Sequence, residues 1–317
     1  MISRRHIRVK VMQALYAYRT RTGVTPAAAE KELVKTVENC HALFVWVFSI
    51  LPEVVRYRAN KLESFKEKNH PTEEDLNPNT KFVDNKVIAQ IEENKALQQL
   101  MMEQYKVKWD NDLDFIIAVF KQIEESDIYK QYMSRPAGDY EEDKKFVLDI
   151  IQDVFGESEY IRWFFGEKDP NWVDDYFEAL SMLYKNVDAF KENKGAECRI
   201  YSAFINKEDD EYLCRHLFRT VLAKDAEYEQ LIESKIQNWE MDRLIGMDII
   251  LLKMATCELS EFPLIPVKVT MNEYIEISKM YSSDKSKIFI NGVLDKIIEE
   301  LRYAGKLNKT GRGLYQN

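Results

Sequence analysis

Residues 239–303 hold three consecutive segments whose mainly apolar positions recur at intervals of three, four and seven residues. Such intervals place these positions on one side of an α-helix, whereas a strand requires strict alternation. The three sets are Ile245, Ile249, Leu252 and Leu259; Met271, Tyr274, Ile275 and Ser278; and Phe289, Val293, Ile297 and Leu301. The sequence therefore predicts three amphipathic helices in close succession.

Two interruptions separate these helices. The first is Pro263 with Pro266, because proline donates no backbone hydrogen bond and restricts the residue before it. The second is the serine-rich loop at 282–286. Asn291-Gly292 would elsewhere indicate a hairpin turn, but the flanking residues keep a helical period, so we predict helix interior. Glycine there costs about 1 kcal/mol relative to alanine, and we expect close approach of a neighbouring helix to offset it.

The remainder of the chain is also patterned for helices. Ser3 to Tyr18 predicts an amphipathic helix that leaves its arginines outside. Thr25-Pro26 predicts the start of a long helix that Pro52 interrupts, and Asp139 predicts the start of a helix that Gly156 ends. No stretch has strand alternation of convincing length or a fixed repeat. The predicted fold class is all-α.

Neither catalysis nor metal binding is indicated. The chain lacks the glycine-rich phosphate-binding motifs, a nucleophile elbow and a zinc-protease motif. Its four histidines are dispersed, and its four cysteines lack paired spacing, so we expect plain buried thiols. Several aromatic residues of the middle region are predicted to be core rather than a base-stacking surface: Trp109, Trp163, Phe164, Phe165 and Trp172. We expect no enzyme activity, no cofactor and no metal.

No uninterrupted apolar run approaches the roughly 20 residues of a membrane span, and the first 20 residues are too charged for a secretory signal. We expect a cytoplasmic protein without a membrane partner. Its net charge is −9, but the first 21 residues carry six basic side chains and no acid. Arg302, Lys306, Lys309 and Arg312 add four more at the other end, which leaves −19 for residues 22–301. An acidic body thus carries two basic termini, which are either solvated faces or a localised site for a polyanion.

The C-terminal stretch PVKVTMNEYIEISKMYSSDKSKIFINGVLDKI resembles the signature of the NusB family of bacterial transcription antitermination proteins. Family members typically read close to PVKVAINEAIELAK, a short loop, then KFVNGVLDK. The preceding MDIILLKMATCEL resembles the family's RIALYEL helix, and the opening RRHIRVKVMQALYAY resembles RRRAREAALQALYAW. Together these matches cover about a third of the chain.

The resemblance implies a core of two small helical bundles and a set of functional residues. By their matching positions, the residues implied to bind RNA are Arg4, Arg5, Arg8, Tyr16, Lys285, Lys287 and Phe289. Those implied at a partner surface are Tyr16, Asp242, Tyr281 and Phe289. The three aromatics have core residues as their alternative interpretation, and Asp242 could equally be an acid favoured at a helix start. Lys285 replaces an acid common in relatives, so we expect stronger contact with phosphate.

NusB proteins are shorter than half this chain, so the resemblance also implies an insertion. We expect residues 1–22 to form the basic helix of the core, 26–206 a helical insertion, 207–304 the rest of the core, and 305–317 a basic tail.

Two functions follow. The first is an RNA-binding antitermination factor that grips boxA-type single-stranded RNA together with NusE, a small-subunit ribosomal protein, in the RNA polymerase complex that transcribes ribosomal RNA. The second is an all-helical protein-interaction module without its own RNA site, which works through the acidic insertion. Salt dependence of RNA binding separates the two, because phosphate contacts release counterions.

Overall fold

The computed structural model describes residues 1–136, 138–236, 246–283 and 285–314. The chain forms two compact units. The terminal unit consists of Ser3–Val37 with Phe204–Asn317, and the central unit consists of Met1–Ile2 with Glu38–Ala203. The main segment of the central unit therefore begins at residue 38 and ends at residue 203. The predicted insertion begins at residue 26 and ends at residue 206.

The described residues form α-helices, short 3-10 and π turns, and no strand, which confirms the all-α prediction. The helices are α1 (Arg4–Thr20), α2 (Pro26–Phe48), α3 (Ile50–Lys66), α4 (Glu73–Leu76), α5 (Lys86–Glu92), α6 (Lys95–Gln99), α7 (Leu113–Glu125), α8 (Asp127–Ser134), α9 (Tyr140–Asp149), α10 (Glu159–Lys168), α11 (Trp172–Asp188), α12 (Lys207–Ala223), α13 (Asp225–Lys235), α14 (Gly246–Glu261), α15 (Val267–Tyr281) and α16 (Ser286–Tyr303).

The terminal unit contains the three helices predicted at the end of the chain. Helix α14 ends at Glu261, before the two prolines, and α15 and α16 are separated by the serine-rich loop. Asn291 and Gly292 lie inside α16, as predicted. The expected close approach at Gly292 is wrong, because a Cβ built there meets nothing within 4 Å.

Helix α1 joins these three helices from the other end of the sequence. Ser3 caps its first turn by accepting a hydrogen bond from the His6 amide at 3.1 Å. Its buried side packs against α12, α14 and α15. The terminal unit is therefore completed by α1, which lies more than 200 residues before α14 in the sequence.

The predicted basic tail is described as far as Leu314 and packs partly on α14. The Lys309 ammonium donates hydrogen bonds to the carbonyls of Glu258 and Phe262, at 3.1 and 3.0 Å. Burial lowers the pKa of Lys309 to about 8. Lys309 is thus a structural residue at the C-terminal end of α14.

The central unit is built around aromatic side chains. Helix α9 starts at the predicted cap, since Asp139 accepts from the Glu142 amide at 2.9 Å, and continues through a π-helical turn, Ile150–Phe155, to Gly156. Trp109, Phe165 and Trp172 are buried as predicted. Trp163 is not, because 60% of it is exposed on α10. The helical period of that segment points Trp163 away from the side that carries Phe165.

By length and composition alone, the stretch Pro26–Lys66 could cross a membrane. However, 78% of the most apolar 18 residues of this stretch are buried inside the protein. That degree of burial is typical of a core helix. Ser49 interrupts the stretch between α2 and α3, three residues before the predicted break at Pro52. The four cysteines are buried and none of them forms a disulfide, as expected.

We predict that the central unit loses stability as the pH falls below about 6.5, the ordinary pKa of histidine. His41 is buried, with Nδ1 2.7 Å from the Tyr105 hydroxyl and Nε2 2.7 Å from the Tyr201 carbonyl oxygen. Since a carbonyl only accepts, Nε2 donates, and in the neutral ring Nδ1 accepts from the Tyr105 hydroxyl. Burial lowers the pKa of His41, so below pH 6.5 the unfolded chain binds a proton that the folded chain does not.

Urea unfolding followed by tryptophan fluorescence at pH 7.5 and 5 measures this loss. His41→Gln serves as the control, because its amide still donates to Tyr201 but does not titrate. Equal losses in the wild type and the variant would exclude His41 as the cause.

Candidate nucleic-acid interface

The centre of the terminal unit is a buried ion pair between α1 and α14. Arg8 binds Glu258 through two hydrogen bonds, Nε to Oε2 at 2.7 Å and Nη2 to Oε1 at 2.9 Å. The two side chains are 3% and 0% exposed. The hydroxyls of Thr270 and Tyr274 on α15 also donate to Glu258, at 2.7 and 3.3 Å. One carboxylate thus joins three helices.

This geometry corrects the prediction for Arg8, which lies inside the unit and not on the outer face of α1. Its remaining nitrogen, Nη1, donates to the Arg4 carbonyl at 3.1 Å. Burial alone would lower the pKa of Arg8, but the Glu258 carboxylate outweighs it, so the pKa is raised and the charge is kept. With its nitrogens directed at protein oxygens, Arg8 has no fork to offer a phosphate.

Arg4 and Arg5 are accessible but paired. Arg4 Nε lies 2.9 Å from Asp210 on α12, and Arg5 makes two hydrogen bonds to Glu273 on α15, at 2.8 and 3.0 Å. The hydrogen bond with Glu273 raises the pKa of Arg5. Both arginine side chains stay about two-fifths exposed. An anion that binds either arginine must first displace its carboxylate partner.

The serine-rich loop is anchored by a buried acid at the start of α14. Asp248 accepts from the Ser282 hydroxyl at 2.5 Å and from the Ser286 hydroxyl at 2.8 Å. Hydrogen bonds to a charged group contribute about 1.5–3 kcal/mol, so Ser282 and Ser286 are held firmly at the two ends of the loop. Ser282, which opens the loop, has a negative φ of −135° that any residue adopts.

Lys285 and Lys287 are exposed at the start of α16. Among the residues that the structure describes, no carboxylate lies within ion-pair distance of either ammonium. With no acidic partner among the described residues, these two lysines form the clearest positive site of the predicted set.

The aromatic residues of the predicted site differ in exposure. Tyr16 is 48% exposed on α1, and Tyr281 is partly exposed at the end of α15. Phe289 is 4% exposed within the core face of α16, so its prediction as a surface residue is wrong. It lies at the apolar spacing of α16, which explains its burial. Asp242 lies outside the described residues.

Helix α15 connects the two positive regions. Glu273, which binds Arg5, and Ser282, which opens the anchored loop, are nine residues apart, or about 14 Å at 1.5 Å per helical residue. Arg5 and Tyr16 are eleven residues apart on α1, about 17 Å. The structure therefore brings Arg4, Arg5 and the loop lysines onto the terminal unit within the reach of a short single strand.

Sequence reasoning missed the acids that hold the arginines: Glu258, Glu273 and Asp210. Glu258 was detectable in principle, because a carboxylate in the buried run MATCEL needs a charged partner. The identity of that partner, 250 residues away, required the fold.

Comparison with known proteins gives consistent matches. The NusB family model matches residues 177–299. The chain is 48% identical over 142 residues to the transcription antitermination protein NusB of Salinibacter ruber, which is 43% of this chain and 89% of that protein. It is 43% identical over 93 residues to the NusB proteins of Listeria welshimeri and Listeria monocytogenes, 29% of this chain and 72% of each relative. No solved structure matches the chain.

We predict that Arg8→Ala destabilises the terminal unit by about 3–5 kcal/mol, because it leaves the Glu258 carboxylate buried without a counter-ion. Arg5→Ala, at a partly exposed pair, should cost at most about 1 kcal/mol. Urea unfolding by circular dichroism, with hydrogen exchange of the α1 amides to identify the unit that opens, measures both.

Arg8→Met combined with Glu258→Gln is the control. It removes both charges and keeps one amide oxygen that accepts from Thr270, while the amide nitrogen can donate to the Tyr274 hydroxyl oxygen. If this double variant is no more stable than Arg8→Ala, the buried charge is not the source of the loss.

Proposed function

This chain belongs to the NusB family of transcription antitermination proteins, and from that premise we propose that its terminal unit binds boxA-type single-stranded RNA together with NusE. In this proposal the protein works in the cytoplasm, within the RNA polymerase complex, and supports transcription of ribosomal RNA. It is an adaptor that performs no chemistry.

The observation that carries the RNA proposal is the unequal charge of the two units. The central unit has 33 acidic and 21 basic residues, a net charge of −12, so the remaining residues leave the terminal unit at +3. An acidic neighbour repels a polyanion from most of the surface, and the basic unit then offers the favourable place to bind. Its accessible cations include Arg4, Arg5, Lys285 and Lys287.

Binding by this surface combines two kinds of contact. Phosphates bind Lys285 and Lys287 directly and bind Arg4 and Arg5 by displacing their carboxylates, for which the planar guanidinium fork is suited. Bases of the single strand stack on exposed aromatic rings, for which Tyr16 and Tyr281 are the candidates. Arg8 does not contact the RNA but holds α1 against α14 through its buried ion pair with Glu258.

NusE is proposed to bind next to the RNA, at the surface that includes Tyr16 and Tyr281. The two ligands then contact neighbouring residues, so each should raise the affinity of the protein for the other. The second candidate function, an interaction module without an RNA site, is favoured by the strong negative charge of the central unit.

We predict that boxA RNA binds with a steep salt dependence. If four cations each neutralise one phosphate, the logarithm of affinity should fall with a slope of about −3 against the logarithm of salt concentration, at roughly 0.7 per contact. Fluorescence anisotropy with labelled RNA, alone and with NusE, measures it. Arg5→Ala should flatten the slope by less than one unit, whereas Arg302→Ala, at the far end of α16, should leave it unchanged. RNA binding that is absent with and without NusE would favour the interaction module.

Two charge changes test the individual contacts. Glu273→Gln should raise RNA affinity, because Arg5 is then free of its carboxylate, and Lys285→Glu should lower it, because an acid in the loop repels phosphate. The same titration measures both. Unchanged affinity in both variants would place the RNA elsewhere on the protein.

A further inference from the structure

We propose that a surface of the central unit binds a basic, amphipathic helical segment of a partner protein. This surface, the aromatic face, consists of Tyr160 and Trp163 on α10, Val173 and Phe177 on α11, and the groove between α11 and the π-helical turn Ile150–Phe155. The proposal goes beyond RNA binding and does not depend on it.

Large apolar side chains are concentrated on these two adjacent helices. Trp163 is 60% exposed and Phe177 53%, and Tyr160 and Val173 are each 38% exposed. The helices pack closely, since a Cβ at Gly166 would lie 2.7 Å from Val173 Cγ2. Exposed apolar residues are common singly, but four large ones on two packed helices indicate an interaction site.

The rings are held in place before any partner arrives. Phe115 stacks on Phe164 with ring centroids 3.7 Å apart, and Tyr160 stacks on Phe115 at 5.8 Å. The Arg162 guanidinium lies 5.1 Å from the centroid of Phe177 and donates to the Val173 carbonyl at 3.0 Å. A face with ordered side chains loses little conformational entropy on binding.

A groove of about 270 Å³ adjoins the exposed rings. Its apolar lining includes Ile151, Phe177, Leu180 and Tyr184, and Gly156 leaves room where the π turn ends. Apolar side chains along one side of a helix insert into grooves of this kind, which is a common mode of peptide recognition. Single π turns inside α-helices also occur often at functional sites.

The charge around the aromatic face selects the partner. Residues 149–188 contain ten acidic and three basic side chains, a net charge of −7. Asp153, Glu157 and Glu159 are exposed on the π turn and at the start of α10. These acids repel RNA, anionic lipid and a second copy of the same acidic unit. They favour a helix with lysine or arginine beside its apolar stripe.

A fluorescein-labelled synthetic helix of leucine and lysine, with all leucines on one side, is the probe. Full-length protein should bind it in an anisotropy titration, and added salt should weaken the binding. Trp163→Ser with Phe177→Ser should reduce the affinity at least about tenfold, the effect of losing central aromatic anchors. Met102→Ser is the matched control, because Met102 is 68% exposed on the same unit but outside the aromatic face.

Three results would overturn the proposal: equal binding of a leucine–glutamate helix, unchanged affinity in the double serine variant, or self-association that this variant abolishes. The double serine variant should keep its affinity for boxA RNA. A loss of peptide binding can therefore be distinguished from a loss of RNA binding. Competition between labelled peptide and unlabelled RNA would assign both to one site and would also contradict it.

Discussion

The terminal unit depends on one buried ion pair, in which Arg8 of the first helix meets Glu258 of α14. A charged pair with side chains 3% and 0% exposed is tolerated only when both partners are present and hydrogen-bonded. Thr270 and Tyr274 complete the shell around the carboxylate. Because the partners are 250 residues apart, this contact fixes the beginning of the chain on its end.

Local sequence patterns predicted most of the helices, but they did not predict which distant side chains form ion pairs. The helices α14 to α16 and their breaks follow from apolar spacing and proline, which act within a few residues. Arg8 was placed outside because a helical wheel treats every charge as solvent-facing, and only the position of Glu258 reverses that. Trp163 was assigned to the core by its residue type, although its position on α10 faces solvent.

Membership of the NusB family and the separation of charge support one account of how the two units divide their work. The basic terminal unit carries the proposed RNA surface, in which Lys285 and Lys287 occupy family positions beside the anchored loop. In the proposed division of work, the net charge of −12 disfavours RNA binding to the central unit, which presents an aromatic face to a different partner. If the proposal holds, the acidic unit adds a second binding surface and the first stays selective, because each surface repels ligands of its own charge.

Hydrogen exchange of the full-length protein with and without boxA RNA and NusE tests most directly whether the two ends of the chain build one surface. The account predicts added protection at both residues 4–16 and residues 281–288, with none on α10 and α11. Protection confined to one of the two segments, or located on the central unit, would contradict it.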